Sequence, residues 1–171
     1  KNQRFRAFEL CRKALALDPR FAAAQARMAY RMAFMGYSYD DPSYIDKGIV
    51  EAEAALRIDP LYANGYFVLG SVYGMKGREA QSRQAFLRAL ELDPNNIGAM
   101  ANFSVMEAWF GRLDDAAYWG RRGFGLSGKR ANDYYHLIVP LLSLRADAVT
   151  RTLLEDSERR FPTFPRTHIL F

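Results

Sequence analysis

The sequence predicts an all-α fold built from repeated pairs of helices. A terminator of the form Ala-Leu-x-(Leu/Ile)-Asp-Pro recurs and ends at Pro19, Pro60 and Pro94, and the last two prolines are 34 residues apart. The same register, continued along the chain, reaches Gly128 and Pro162. Small residues recur at one position of this register, at Ala7, Gly48, Ser82, Ala116 and Thr150. Small residues at fixed places let two helices approach closely, so the period predicts stacked helix pairs.

The helix assignment within each period rests on hydrophobic spacing and on the proline. Each unit holds two stretches of helical period, about 12–15 residues each, separated by a polar or glycine-containing turn. The proline after the aspartate ends the second stretch, because its ring cannot continue the hydrogen-bond ladder and disfavours helical geometry in the residue before it. Large apolar residues occupy another fixed position, at Met28, Leu69, Phe103 and Leu137.

The period divides the chain, a single array over residues 1–171, into units with about nine helices in all. The predicted divisions are 1–21 (the second helix of a truncated unit), 22–62 (a unit with seven extra residues), 63–96, 97–130 and 131–164 (units of 34), and 165–171 (the start of a further helix or a tail). The extra residues fall at 37–44, where we expect them to lengthen the turn inside their unit. The sequence leaves open whether this segment contacts a partner.

Composition and charge exclude several classes of protein. The chain has 171 residues, of which 50% are hydrophobic and 14% aromatic, and this content excludes intrinsic disorder. Apolar runs of only a few residues exclude a membrane span, and a single cysteine excludes a disulfide scaffold. The net charge of +5 is spread evenly along the chain, which argues against a nucleic-acid partner. Because the chain starts at Lys1, we expect it to be a piece of a longer protein.

One unit carries the pattern of a known family. Its pattern residues are Tyr66, Leu69, Gly70, Tyr73, Ser82, Phe86, Ala89 and Pro94. In these positions the chain resembles the tetratricopeptide repeat family, whose pattern is Trp-x-x-Leu-Gly-x-x-Tyr, then Ala-x-x-x-Phe, then Pro over 34 residues. The resemblance implies a right-handed superhelix (a solenoid) in which the first helix of each pair lines a concave groove. The later units follow the pattern more loosely, with Glu107 where the family has Tyr.

The resemblance assigns a set of aromatic, amide and basic residues to the groove. Aromatic rings anchor the apolar side chains of a partner, and amides both donate to and accept from a bound backbone. The candidate groove residues are Arg27, Tyr30, Phe34, Asn64, Phe67, Ser71, Met75, Asn102, Trp109, Asn132, Tyr135 and His136. For each single ring, the alternative that it packs between neighbouring repeats stays open.

The chain contains no recognised catalytic or cofactor-binding motif. The glycine cluster over 120–128 closes a helix and follows no strand, which argues against a phosphate loop. His136 and His168 lie 32 residues apart, without metal-ligand spacing. No nucleophile–base–acid set or Gly-x-Ser-x-Gly elbow occurs. We therefore expect neither an enzyme nor a bound cofactor or metal, and we expect Cys11 to be a buried small hydrophobe.

These observations favour a module that binds a protein or peptide partner in the concave groove, as part of a larger bacterial, cytoplasmic protein. The alternative is a regulatory, sensor or self-association module of a signalling protein such as a cyclase, kinase or transcription regulator. For self-association, which would make a homo-oligomer, the candidate residues are Ile169, Leu170 and Phe171. A solenoid that binds nucleic acid through its paired basic residues is a less favoured alternative.

Overall fold

The computed structural model describes residues 2–128, 134, 138 and 147–160. Every regular element within those residues is a helix, which confirms the all-α prediction. The eight helices of this part of the chain are α1 (Asn2–Leu17), α2 (Ala22–Tyr39), α3 (Pro42–Ile58), α4 (Ala63–Met75), α5 (Glu79–Leu92), α6 (Ile97–Trp109), α7 (Leu113–Leu126) and α8 (Asp147–Arg160). Residues 134 and 138 are also helical and lie where the sequence predicts a further helix.

The chain divides into two compact units, Lys1–Pro94 and Asn95–Phe171. In the first unit α2 pairs with α3 and α4 pairs with α5, while α1 packs on α2, and both α2 and α3 pack on α4. In the second unit α6 pairs with α7. Each of these helical hairpins lies within one predicted repeat: 22–62, 63–96 or 97–130.

A short turn with a left-handed glycine joins the helices of two hairpins. Gly77 has a φ of 76°, and Gly111, at the same place one repeat later, has a φ of 79°. Residues with a Cβ rarely adopt this conformation, whereas glycine does so without strain. The turn allows the amide of Arg78 to donate to the carbonyl of Tyr73 at 2.9 Å. This hydrogen bond satisfies a carbonyl at the C-terminal end of α4.

A buried serine hydroxyl connects the two helices of α4–α5 and of α6–α7. Ser82 donates to the carbonyl of Gly70 at 2.7 Å, and Ser104 donates to the carbonyl of Ala116 at 2.7 Å. Ser82 and Ala116 are equivalent repeat positions, as are Gly70 and Ser104. The donating serine therefore lies on the second helix of the α4–α5 hairpin and on the first helix of the α6–α7 hairpin. The hydroxyl uses the second lone pair of a helix carbonyl, and the bond fixes the distance between the helices.

The α2–α3 hairpin has a glycine at the position that Ser82 occupies in the next one. A Cβ on Gly48 would lie 2.9 Å from the carbonyl oxygen of Ala29 and 2.9 Å from the Cβ of Ala33. Both alanines are fully buried. The predicted column of small residues is therefore the seam along which paired helices touch.

Each compact unit has its own core. The buried core residues of the first unit are Ala26, Ala29, Ala33, Ile45, Ile49, Ala52, Ala55, Val68, Leu69, Val72, Tyr73 and Ala85. In the second unit, Tyr134 and Ile138 are fully buried and pack against Phe124 and Leu153. Cys11 of α1 is buried, as predicted. The stability of the fold thus comes from local cores, as expected of stacked repeats.

The seven extra residues lengthen two helices, and the predicted longer turn at 37–44 is wrong. Helix α2 has 18 residues where α4 has 13, and α3 has 17 where α5 has 14. The turn between α2 and α3 contains only Asp40 and Asp41. Gly36 permits this tight connection, because a Cβ there would lie 2.7 Å from the carbonyl oxygen of Asp41 and 2.8 Å from Ile45 Cγ1.

Local signals end α2 and start α3. Asp40 adopts the left-handed conformation (φ 54°, ψ 41°) and ends α2. The Asp41 carboxylate caps α3 by accepting from the Ser43 amide at 3.0 Å, and Pro42 occupies the first helical position, where its fixed φ fits. Hydrogen bonding with Ser43 holds the pKa of the Asp41 carboxyl below its ordinary value.

Candidate partner-binding surface

Nine of the twelve predicted groove residues lie on α2, α4 and α6, the first helices of the described hairpins. The members on α2 and α4 belong to one compact unit, and those on α6 belong to the other. The other predicted residues lie outside the described residues: Asn132, Tyr135 and His136 of the groove set, and Ile169, Leu170 and Phe171 of the self-association set.

Tyr30 on α2 and Phe67 on α4 form the centre of the candidate surface in the first unit. Their ring centroids are 6.2 Å apart, with the planes tilted by 33°. Phe67 also contacts the ring of Phe86, which is fully buried, at 6.4 Å. Both rings are half-buried and pack against the core. The aromatic pair, Tyr30 with Phe67, is therefore fixed by the core and still partly exposed to solvent.

The Tyr30 hydroxyl remains a hydrogen-bond donor over a wide pH range. Burial raises the pKa of its phenol above the ordinary value, and the neighbouring Arg31 partly opposes the shift. A protonated phenol at the edge of an apolar surface can donate to a carbonyl or carboxylate of a partner.

Arg27 and Asn64 are exposed and flank the aromatic pair. Arg27 lies three residues before Tyr30 on α2, and Asn64 lies three residues before Phe67 on α4. Residues three apart are neighbours on one helix face. The guanidinium supplies donors only, whereas the amide both donates and accepts. The surface therefore combines an apolar centre with side chains that have hydrogen-bonding groups.

Ser71 does not line a groove, which corrects its place in the predicted set. Its side chain is fully buried, and its hydroxyl donates to the carbonyl of Phe67 at 3.0 Å. Helical spacing puts Ser71 on the same stripe of α4 as Phe67, which lies four residues before it. The short serine side chain ends inside the packed interior, whereas the phenyl ring reaches the surface.

A large apolar residue lies near the C-terminal end of each first helix, at Phe34, Met75 and Trp109. Phe34 and Met75 are half-buried, and Met75 packs against the core of the first unit. Trp109 is 49% exposed. These positions combine packing with exposure, as the aromatic pair does.

Asn102 of α6 is half-buried and bonds to its own helix. Its Nδ2 donates to the carbonyl of Gly98 at 3.1 Å. This bond holds the amide along the helix. The Asn102 side chain therefore extends less far towards a partner than it would without the bond.

A second exposed surface lies on α7. Tyr118 is 55% exposed, and its ring meets Trp119 edge-on at a centroid distance of 4.9 Å. The Arg122 guanidinium lies 5.8 Å from the Trp119 ring centroid, and its Nη1 donates to the Tyr118 hydroxyl at 3.4 Å. The residues that line a shallow depression here are Asp114, Ala117, Tyr118, Arg121 and Arg122.

The described part of the chain contains no group of three His, Cys, Asp or Glu side chains that could hold a metal ion. None of its helices is long and apolar enough to cross a membrane.

Comparison with known proteins identifies the repeat that the sequence pattern indicates. A family model described as tetratricopeptide repeat matches residues 63–96. The chain is 27% identical over 96 residues to anaphase-promoting complex subunit 3 of Schizosaccharomyces pombe. That match covers 56% of this chain and 13% of the relative, so the chain spans a small part of that protein.

Solved structures show the same fold over most of the chain. TTC0263, a thermophilic TPR protein of Thermus thermophilus, is 17% identical with a TM-score of 0.78, and the match covers 91% of this chain and 82% of that one. YrrB is 21% identical with a TM-score of 0.64, and the match covers 99% of this chain and 82% of that one. At these identities the similarity concerns the fold, a solenoid of helical hairpins.

Proposed function

We propose that the chain binds a protein or peptide partner on the surface of its first helices. The proposal starts from the match of residues 63–96 to the tetratricopeptide-repeat model and from the similarity in fold to solved TPR proteins. The aromatic pair carries the proposal, since Tyr30 and Phe67 contact each other on neighbouring helices and stay partly exposed. YrrB, which has the same fold, is described as having an unusual peptide-binding site. That description supports a peptide as the kind of partner.

The proposed mechanism is recognition by a preformed surface. An apolar side chain of the partner packs on the aromatic pair, whose rings are already ordered by the core, so little side-chain entropy is lost on binding. Arg27 pairs with a carboxylate of the partner, and the Asn64 amide bonds to its backbone. The proposed partner is therefore a segment with an apolar residue and an acidic residue close together.

The role is that of a non-catalytic interaction module. Repeats of this family generally act as scaffolds for other proteins, and stacked hairpins provide extended surfaces for this purpose. A position within a larger cytoplasmic protein belongs to the same proposal.

A peptide-display selection tests the proposal. Peptides selected from a random library on the immobilised chain are labelled with fluorescein, and their affinity is measured by fluorescence anisotropy. We expect Arg27→Glu to weaken binding about tenfold or more, because it opposes the partner carboxylate with a like charge. We expect Asn64→Ala to weaken it to a smaller extent.

Both positions are exposed, so these variants should fold like the parent chain. The matched control is Arg57→Glu, which makes the same charge change at an exposed position of α3, a second helix. Selected peptides that bind both Arg27→Glu and Asn64→Ala as tightly as the parent chain would contradict the proposed surface.

A further inference from the structure

The charges of α7 are arranged symmetrically about Tyr118. Asp114 lies four residues before Tyr118 and Arg122 four residues after it. Asp115 lies three residues before it and Arg121 three residues after it. The first half of the helix is thus acidic and the second half basic, at equal distances from one central aromatic residue.

This pattern lies on a surface that solvent reaches. Tyr118 is 55% exposed, and Asp114, Arg121 and Arg122 are exposed as well. Arg122 is held in place by Trp119 and by the Tyr118 hydroxyl. A guanidinium that is already positioned loses less entropy when it meets a carboxylate.

We propose that α7 packs against α7 of a second copy of the chain, antiparallel and about a two-fold axis at Tyr118. The helical rise places Asp114 and Arg122 each about 6 Å from Tyr118 along the axis. An antiparallel pair therefore brings Asp114 of each copy opposite Arg122 of the other. Asp115 meets Arg121 in the same way. Such an isologous contact uses one patch twice, so the patch must be complementary to itself.

The second half of α7 leaves room for another helix. Gly125 lies seven residues after Tyr118 and is exposed, and a Cβ on it would have no neighbour within 4 Å. Leu126, at the end of α7, is 48% exposed.

The arrangement favours a second copy over an anionic ligand. Arg121 and Arg122 alone would attract a nucleic acid, but Asp114 and Asp115 on the same helix oppose a polyanion and leave the four charges balanced. One helix from each copy buries less surface than a stable dimer needs, so the association is weak. Because Asp114, Arg121 and Arg122 are exposed, it weakens further with salt.

The experiment is sedimentation velocity of the chain at concentrations up to the order of 100 μM, a range in which weak dimers are populated. The parent chain should form a dimer at low salt that dissociates as the salt concentration rises. Asp114→Arg and Arg122→Asp, each studied alone, should dimerise at least about tenfold more weakly than the parent chain. The reason is that each homodimer then contains two like-charged pairs.

A mixture of the two variants separates an interface from a folding defect. In the mixed dimer, Arg at position 114 of one copy faces Asp at position 122 of the other, and the second pair is the native one. The mixture should therefore associate as the parent chain does. Arg57→Asp is the control for charge reversal on α3 and should leave dimerisation unchanged.

Three results would overturn the proposal. They are a parent chain that stays monomeric at the highest concentration, single variants that dimerise normally, and a mixture that fails to recover. Dimers that persist in both single variants would instead assign self-association to a different surface, such as residues 169–171.

Discussion

The buried Glu107 forms an ion pair with Arg112 where the preceding repeat has a tyrosine and an arginine. Glu107 is 1% exposed, and its carboxylate accepts from Arg112 Nε at 2.9 Å and from Nη2 at 3.2 Å. One repeat earlier, the Arg78 guanidinium lies 5.8 Å from the ring centroid of Tyr73. The same glycine turn thus supports two pairs of different chemistry, one ionic and one cation–π.

This difference predicts unequal effects of removing the two arginines. Arg112→Met leaves the Glu107 carboxylate buried without its cation, and such a change is strongly destabilising. Because the Arg112 side chain is 31% exposed, we expect a loss of about 2–3 kcal/mol in the free energy of unfolding. Urea unfolding followed by circular dichroism measures it.

Arg78→Met is the matched control, because it removes only a cation–π contact. We expect it to cost about 1 kcal/mol or less. Equal losses in the two variants would mean that the Glu107–Arg112 pair contributes no more than the contact with Tyr73.

Two glycines predict opposite responses to alanine. Gly48→Ala places a methyl group 2.9 Å from the carbonyl oxygen of Ala29, and the backbone must shift to admit it. We expect a loss of about 1–3 kcal/mol in unfolding free energy. Gly125→Ala meets no neighbour within 4 Å, so it should stabilise α7 by up to about 1 kcal/mol.

Thermal melts of the two glycine variants give the comparison directly. A Gly48→Ala variant that melts with or above the parent chain would show that α2 and α3 can separate without cost. In that case the close seam would not be a source of stability.

Much of the fold could be predicted because its signals are local and repeated. Pro60 and Pro94 end second helices in register, and a proline stops a helix whatever its surroundings. The small residues Gly48 and Ser82 lie at the seam of each hairpin, as their period predicts. A periodic pattern constrains every repeat at once, so a single irregular unit does not obscure it.

The candidate surface could be predicted only in part. Helical spacing identifies which residues share a stripe of one helix, and it places Tyr30 with Arg27 and Phe67 with Asn64. It does not tell how far neighbouring helices cover that stripe, which is why Ser71 was misplaced. The extra residues at 37–44 were misassigned for a related reason, because the same number of residues can extend two helices or one turn.

The cap of α3 predicts a specific acid sensitivity. The pKa of Asp41 is held below its ordinary value of 3.8 by bonding with Ser43. A carboxyl with a lowered pKa in the folded state stabilises the fold above the pKa of the unfolded state, and this contribution is lost as the pH falls through the folded value. Asp41→Asn keeps a capping oxygen without a titrating group, so it should remove part of the loss of stability below about pH 4.

Asp40→Asn is the control for this cap, because position 40 lies outside the capping bond and asparagine also tolerates the left-handed conformation. Thermal melting between pH 2 and pH 7 compares the variants. A loss of stability at acid pH that changes in Asp40→Asn and not in Asp41→Asn would contradict the assignment of the cap.

Tyr73 predicts a matching sensitivity at alkaline pH. Its hydroxyl donates to Glu53 Oε1 at 3.0 Å, and burial together with this carboxylate raises the pKa of the phenol above 10.0. A raised pKa means that the folded state holds its proton longer than the unfolded state. The contribution to stability is therefore full below about pH 10 and is lost as the pH rises through the folded value.

Tyr73→Phe should lower the unfolding free energy by about 1 kcal/mol at neutral pH, because the hydrogen bond to Glu53 is lost. It should also make the decline above pH 10 less steep, although not flat, since the pKa values of Tyr30 and Tyr134 are raised as well. The control is Tyr44→Phe, at an exposed position of α3. If Tyr44→Phe changes the loss of stability above pH 10 as much as Tyr73→Phe does, the Tyr73 phenol is not the group whose titration causes that loss.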